Sequence, residues 1–228
     1  MRHRIAALLI ATAFGVTAVH AQPGATQTSG YLTPPKAVVD IMNAEPLPSV
    51  TMGPNRSLMM LMARSSMPSI AEVSQPMLRI AGLRINPRNN GPHRTGGGGT
   101  ALTLRDISTG TERKIAVPTD PQIGDVSFSP DGKRFSFTNT HDTGIDLYIA
   151  DVTTAAPKKV AGAALNGLST GCEWLDDSSA LLCALVPSRR GAPPAEPKVP
   201  KGPNIQENAG KAGPVRTYQD LLSSAHDE

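Results

Sequence analysis

The sequence has 228 residues, of which 39% are hydrophobic and 18% charged, with a formal charge of +3 and two cysteines. This length allows one or two domains with a real core, and two cysteines exclude a scaffold held by several disulfides. With 21 glycines and 21 prolines, part of the chain is predicted to be loop.

The N-terminal residues have the pattern of an export signal. Arg2 and Arg4 precede an apolar stretch, and Val-His-Ala at positions 19–21 provides small residues around a cleavage position. We predict a signal peptide over residues 1–21, cleaved after Ala21, which directs the mature protein to the periplasm or outside the cell. Residues 22–33 are polar and are predicted to be a linker. No apolar run of membrane-spanning length follows, which excludes a membrane span from the mature part.

Regular elements are predicted after the linker. Pro34 and Pro35 precede apolar residues at helical spacing, which predicts a short helix over residues 36–44. Further along the chain, apolar and polar residues alternate on both sides of a Pro-Asp-Gly-Lys turn at residues 130–133, as in a hairpin. Another alternating run at residues 145–149 extends this hairpin into a predicted four-stranded meander.

The hairpin pattern occurs three times in the sequence. In equivalent positions of the pattern, Trp174 follows Phe128 by 46 residues and Met52 precedes Phe128 by 76 residues. A period near 46 residues fits one four-stranded blade of a β-propeller, and an insertion between Ala63 and Thr100 explains the longer step. The equivalent apolar positions, all predicted to point inward, are Val50, Met52, Met59 and Leu61; Val126, Phe128, Phe135 and Phe137; and Cys172, Trp174, Leu181 and Cys183.

These repeats predict an all-β fold. We expect an incomplete β-propeller of about two and a half blades of four-stranded antiparallel sheet, with long Gly/Pro-rich loops. The insertion, which contains the run Gly96–Gly99, is predicted to be a flexible loop. The predicted divisions are a partial propeller over 34–186 with blades near 49–118, 125–162 and 171–187, a proline-rich excursion over 187–214, and a continuation of the propeller over 215–228.

No catalytic, metal or cofactor site is predicted from the sequence. The run Gly96–Gly99 lacks the Lys-Ser/Thr of a phosphate-binding loop, and no G-x-S-x-G nucleophile motif occurs. His93, His141 and His226 lie in three separate segments without a metal-ligand spacing, and the acidic pair at 176–177 is predicted to lie in a turn. Basic residues occur in isolated pairs without a basic stripe, which excludes nucleic acid as a partner.

The two cysteines are predicted to be cross-strand neighbours. A hairpin centred between Asp177 and Ser178 places Cys172 directly opposite Cys183. Direct neighbours have Cα separations that a disulfide tolerates. The sequence leaves two alternatives, a disulfide or two packed thiols in an inward-facing pair.

Several motifs together resemble a known family. Residues 129–133 (SPDGK) and 146–152 (DLYIADV) resemble the blade motif of TolB-like and prolyl-oligopeptidase-type propellers. Residues 81–86 (AGLRIN), 186–194 (VPSRRGAPP) and 215–222 (VRTYQDLL) resemble the N-terminal propeller of the glutamyl-endopeptidase branch of the prolyl oligopeptidase family. The chain is therefore expected to be the N-terminal β-propeller portion of such a protein.

This resemblance implies a serine peptidase in which a propeller filters peptides and a separate α/β-hydrolase domain supplies a Ser-Asp-His triad. The pattern stops at Glu228 inside the propeller, so no residue matches a triad position and the chain is expected to be inactive alone. The first hypothesis is a segment of an exported peptidase whose full-length family cleaves peptides after Glu, with peptide substrates as partners. The alternative hypothesis is a stand-alone periplasmic propeller-like module that binds a protein.

Overall fold

The computed structural model describes residues 32, 34–80, 82–93, 96, 98–169, 171–191, 195 and 210. The predicted signal peptide, the continuation at 215–228, His226, and most of the predicted linker and proline-rich excursion lie outside these residues. The helices are α1 (Lys36–Met42) and α2 (Ile70–Val73), and the strands are β1 (Ser49–Met52), β2 (Leu58–Arg64), β3 (Leu78–Ile80), β4 (Leu83–Asn86), β5 (Gly91–Pro92), β6 (Gly99–Asp106), β7 (Glu112–Ile115), β8 (Ile123–Phe128), β9 (Arg134–His141), β10 (Gly144–Asp151), β11 (Lys158–Lys159), β12 (Cys172–Trp174) and β13 (Leu181–Cys183).

Antiparallel strands form two four-stranded blades. Blade 1 has the strand order β1-β2-β6-β7, and blade 2 has the order β8-β9-β10-β11. The hairpin β12-β13 begins a third blade. A single pair, Gly99 with Ile123, joins the strands of blades 1 and 2. The fold is all-β, an incomplete β-propeller, as the sequence predicts.

The three hairpins have the pairing register that the repeats predict. The equivalent cross-strand pairs are Met52 with Met59, Phe128 with Phe135, and Trp174 with Leu181. Strand β8 departs from the pattern, because its register shifts between Gly124 and Ser127. Asp125, which lies in this bulge, has a positive φ of 46°. Val126 and Phe137 are therefore not the direct pair that the repeat alignment predicts.

The larger core lies between blades 1 and 2. Blade 1 contributes Met60, Leu102 and Leu104, and blade 2 contributes Phe135 and Phe137. None of these side chains is more than 1% exposed. Burial of one such side chain stabilises a fold by about 1.5–3 kcal/mol. This apolar contact is therefore the main interaction that holds the two blades together.

A second, smaller core covers the other face of blade 2. Ile145 and Leu147 of β10 pack with Leu165 and with the β12-β13 pair Cys172 and Cys183. Blade 2 is therefore covered on both faces, by blade 1 and by the third-blade hairpin.

The outward faces of blade 1 and of the third-blade hairpin are exposed. Val50 and Met52, predicted to point inward, are 55% and 50% exposed, so this prediction is wrong for the described structure. Their counterparts in blade 2 face blade 1, whereas no described residue covers the corresponding face of blade 1. Leu182 on β13 is 69% exposed, although the equivalent Met60 of blade 1 is only 1% exposed.

The insertion between β2 and β6 is more ordered than the sequence predicts. Its described residues contain helix α2 and a three-stranded antiparallel sheet, β3-β4-β5. The loop prediction relied on glycine and proline content and missed the alternation of Leu78 and Ile80 with Arg79, which places two half-buried apolar side chains on one face of β3.

Candidate functional site

The insertion lies at the same end of the blades as the β9-β10 turn. It joins the second and third strands of blade 1, and residues 141–143 make the same connection in blade 2. Two hydrogen bonds dock the insertion on this turn: Gln75 Nε2 donates to Asp142 Oδ1 at 3.4 Å, and Asn89 Nδ2 donates to the carbonyl of His141 at 3.3 Å.

Side-chain amides fix the β4-β5 turn of the insertion. Asn86 Oδ1 accepts a hydrogen bond of 3.0 Å from the backbone N–H of Arg88, and Asn89 Oδ1 accepts one of 3.0 Å from Gly91. Both asparagines are buried. Such local bonds satisfy turn N–H groups that have no strand partner, so they hold the polar residues of this turn in place.

Helix α2 has only one turn, and a capping box stabilises its N-terminus. Ser69 Oγ accepts from the N–H of Glu72 at 3.2 Å, and Glu72 Oε2 accepts from the N–H of Ser69 at 2.7 Å. The next segment carries Gln75, which is thereby held facing the β9-β10 turn.

A cavity of about 890 Å³ lies between the insertion and this end of blade 2. Its described lining includes Gln75 and His93 from the insertion, and Asn139, Thr140 and His141 from β9. The sequence places the two histidines in separate segments, whereas the fold brings both to one cavity. Neutral amide and imidazole groups of this kind can both donate and accept hydrogen bonds to a polar ligand.

The charged side chains that line the cavity are all acidic among the described residues. Glu72, Asp120 and Asp142 line the cavity, and none of its described lining residues is Lys or Arg. Carboxylates without a cationic partner disfavour an anionic ligand and favour a cationic one.

One group of contacts beside the cavity has the order hydroxyl, imidazole, carboxylate. Thr143 Oγ1 lies 3.3 Å from His141 Nδ1, and His141 Nε2 lies 3.5 Å from Asp146 Oδ2. Lys159 Nζ also binds Asp146 Oδ2, at 2.7 Å, and this bond raises the pKa of Lys159. Because the hydroxyl and imidazole belong to one exposed turn and the carboxylate is already paired with lysine, these contacts are turn structure rather than an activated nucleophile.

The structure joins Cys172 and Cys183 by a disulfide with a Cα–Cα distance of 4.3 Å. This is one of the two alternatives that the sequence leaves open. The pair lies against Leu165 in the smaller core, away from the residues that line the cavity.

The other sequence candidates lie in turns or at close contacts. Asp177 Oδ1 accepts from Ser179 N at 2.9 Å, and hydrogen bonds from Ser179 lower the pKa of Asp177, as in a turn. Gly99, in the glycine run, is the position where β6 meets β8. Within the ranges that the structure describes, no group of three or more His, Cys, Asp or Glu is arranged to hold a metal ion.

Sequence reasoning missed the cavity, although a signal for it was present. The insertion and the β9-β10 turn occupy equivalent connections of neighbouring blades, and such connections lie at the same end of a propeller. The polar residues of both segments, including His93 and His141, could have been placed together on that ground.

Comparison with known proteins gives two relatives of high similarity. The chain is 32% identical over 212 residues to "Probable glutamyl endopeptidase, chloroplastic" of Oryza sativa subsp. japonica, covering 87% of this chain and 22% of that protein. It is 33% identical over 213 residues to the protein of the same name from Arabidopsis thaliana, with the same coverage. The chain thus spans about one fifth of the length of these relatives. No family model matches it.

Solved structures align with about two thirds of the chain. An acylaminoacyl peptidase in complex with Z-Gly-Gly-Phe-chloromethyl ketone aligns with 64% of this chain and 18% of that chain, at 17% identity and a TM-score of 0.39. TolB from Acinetobacter baumannii aligns with 64% of this chain and 38% of that chain, at 21% identity and a TM-score of 0.30.

The described helices contain none that is long and apolar enough to cross a membrane. Residues 83–86 of the motif at 81–86 form β4. Gly82 precedes this strand, and residue 81 lies outside the described part of the chain. The sequence identity over most of its length confirms the resemblance of the chain to the glutamyl endopeptidase branch of the prolyl oligopeptidase family.

Proposed function

We propose that the chain is the N-terminal propeller segment of an exported serine peptidase and has no hydrolytic activity of its own. The observation that carries this proposal is the match to two glutamyl endopeptidases over 87% of the chain but only 22% of each relative. In the full-length protein this segment would help to admit peptides, and hydrolysis, after Glu, would occur in a separate hydrolase domain.

The contacts of the described residues support inactivity of the segment alone. His93 Nε2 bonds to the carbonyl of Gln75 at 3.2 Å, and His141 contacts Thr143 of its own turn. No described serine donates to or accepts from a histidine ring, so a serine nucleophile with its base is absent from this part of the chain.

Incubation of the purified chain with a fluorogenic Glu-containing peptide tests this proposal. The rate should equal that of buffer, with or without a serine-reactive phosphonate. Saturable, phosphonate-sensitive hydrolysis that survives repurification would contradict it. Sequencing the DNA after the codon for Glu228 tests the segment itself, because further blades and a G-x-S-x-G motif should follow.

Export is the second part of the proposal. The predicted cleavage after Ala21 and the Cys172–Cys183 disulfide support an oxidising compartment outside the cytoplasm. Intact-mass analysis of the protein recovered from the periplasm or medium should give a chain that begins at Gln22. A cytoplasmic protein that retains Met1 would contradict export.

A stand-alone periplasmic binding module is the second candidate. The polar cavity of about 890 Å³ favours it, because such a cavity can bind a ligand without any hydrolase domain. A monodisperse monomer with one sharp, reversible unfolding transition would favour this module over the segment.

A further inference from the structure

Four described side chains of the cavity between the insertion and blade 2 bury a polar atom that has no hydrogen-bond partner. These atoms are Gln75 Oε1, His93 Nδ1, Gln122 Oε1 and Thr140 Oγ1. An unsatisfied buried polar atom costs about 1–3 kcal/mol. Because all four residues line one cavity, a ligand bound there is a candidate source of the missing bonds.

The bonds that these side chains already make identify two of the atoms as acceptors. Gln75 Nε2 donates to a carboxylate oxygen of Asp142, which only accepts, so Gln75 Oε1 is the free acceptor. His93 Nε2 lies 3.2 Å from the carbonyl oxygen of Gln75, which also only accepts. Nε2 therefore carries a proton, and in the neutral form of this imidazole Nδ1 offers a lone pair.

The Thr140 hydroxyl can serve as a third acceptor, because a hydroxyl oxygen carries two lone pairs. The fourth atom, Gln122 Oε1, is an amide oxygen and therefore also an acceptor. It lies close to Gly98, since a Cβ added to that glycine would be 2.3 Å from it. The ligand that completes this set must be rich in hydrogen-bond donors.

The lining carboxylates determine the charge of that ligand. Glu72, Asp120 and Asp142 line the same cavity as the acceptors, and no described lining residue is Lys or Arg. A glutamate side chain has neither the donors nor the charge for this site. Ammonium and guanidinium groups have both, since they carry several N–H donors and no acceptor.

We propose that this cavity is a binding site for a cationic donor group, an ammonium or a guanidinium. Its nitrogen donates to Gln75 Oε1, His93 Nδ1 and Thr140 Oγ1, and its charge is balanced by Asp142 and Glu72. A Lys side chain, an Arg side chain and a free α-amine all present this chemistry. The site goes beyond the peptidase assignment, because it requires no hydrolase domain.

Calorimetric titration of the purified chain with small amides tests the proposal and separates the three sources. N-acetyl-lysine methylamide represents the Lys side chain, N-acetyl-arginine methylamide the Arg side chain, and alanine methylamide the free α-amine. N-acetyl-norleucine methylamide and N-acetyl-glutamate methylamide are the reference compounds. At least one cationic probe should bind about tenfold more tightly than the norleucine analogue, which lacks only the charge and donors. The glutamate analogue should bind no better than the norleucine analogue.

Two substitutions address the site itself. Asp142→Asn keeps an acceptor for Gln75 but removes the charge, and Gln75→Met removes the free acceptor at similar size. Each should weaken the best cationic probe about fivefold or more, whereas Asp176→Asn, which neutralises a carboxylate in the β12-β13 turn, should leave it unchanged. Circular dichroism establishes that each variant retains its fold.

Three outcomes would overturn the proposal. They are absence of binding by every cationic probe, equal affinity for the norleucine or glutamate analogue, and equal effects of Asp142→Asn and Asp176→Asn. If either site variant fails to fold, the salt dependence of the best probe on the unaltered chain decides. Its affinity should fall as ionic strength rises, and an affinity independent of salt would contradict the site.

Discussion

Arg190 donates a hydrogen bond to the side-chain oxygen of Asn90, which lies 100 residues earlier in the chain. Asn90 is in the insertion of blade 1, and Arg190 follows β13, the second strand of the third-blade hairpin. The amide of Asn90 also donates to Asn166 Oδ1 at 2.7 Å, so this side chain joins three segments. The long connections of two different blades therefore meet at one end of the fold.

We predict that Asn90→Ala destabilises the chain more than Asn90→Gly. Both variants lose the side-chain bonds, each worth about 1 kcal/mol. Asn90 also has a φ of 56°, where alanine costs about a further 1 kcal/mol and glycine does not. Urea unfolding measures the difference, and equal midpoints for the two variants would show that the backbone at this turn relaxes.

Two glycines of one run allow a matched test of close packing. A Cβ at Gly99 would lie 2.6 Å from Met62 Sδ and 2.9 Å from Ile123 Cβ, whereas one at Gly96 meets no atom of the described residues within 4 Å. We expect Gly99→Ala to lower the free energy of unfolding by about 1–3 kcal/mol and Gly96→Ala to change it by less than about 0.5 kcal/mol. Similar effects at both positions in chemical denaturation would argue against close contact of β6 and β8.

The sequence predicted the repeated hairpins well and the environment of their faces less well. The pairs Phe128 with Phe135 and Trp174 with Leu181 follow from period-two alternation around a turn, which is a local property. Whether Val50 is buried depends on a neighbouring blade, which its own strand does not encode. The cavity was missed for the same reason, since Gln75 and Asp142 meet only through the packing of two blades.

The carboxylate of Asp131 should make stability depend on pH. Its pKa is lowered by the hydroxyl of Ser129, at 2.6 Å, and by the N–H of Lys133, at 3.0 Å. A carboxyl with a lower pKa in the folded state stabilises the fold above its unfolded pKa, about 3.9, and this contribution is lost as the pH falls through the folded value. We therefore expect stability to fall below about pH 4.

Asp131→Asn should reduce this acid sensitivity, because asparagine keeps an acceptor but cannot ionise. Asp176→Asn is the matched control, since Asp176 accepts no hydrogen bond from the described residues. Urea midpoints measured from pH 6 to pH 2 report the slopes for the three proteins. The prediction fails if Asp131→Asn and the unaltered chain lose stability in parallel.

Reduction of the Cys172–Cys183 bond should destabilise the third-blade hairpin. The bond closes a loop with a sequence separation of 11 residues, for which the chain-entropy estimate is about 2–3 kcal/mol. Dithiothreitol should lower the urea midpoint of the unaltered chain and leave that of a Cys172→Ala, Cys183→Ala variant unchanged. A midpoint indifferent to the reductant would show that the bond contributes nothing to the folded state.

Two apolar faces are left without cover by the residues that the structure describes, and they are unlike each other, which determines how copies of the chain can associate. Val50 and Met52 belong to the face that a preceding blade would cover, and Leu182 to the face that a following blade would cover. Contact between these faces is head to tail, and such contacts continue without closing unless the rotation completes a ring. We expect sedimentation velocity to show a size distribution that broadens with concentration rather than a dimer plateau, and Val50→Thr with Met52→Gln to narrow it. The same geometry that leaves room for another blade therefore predicts that copies of the chain polymerise.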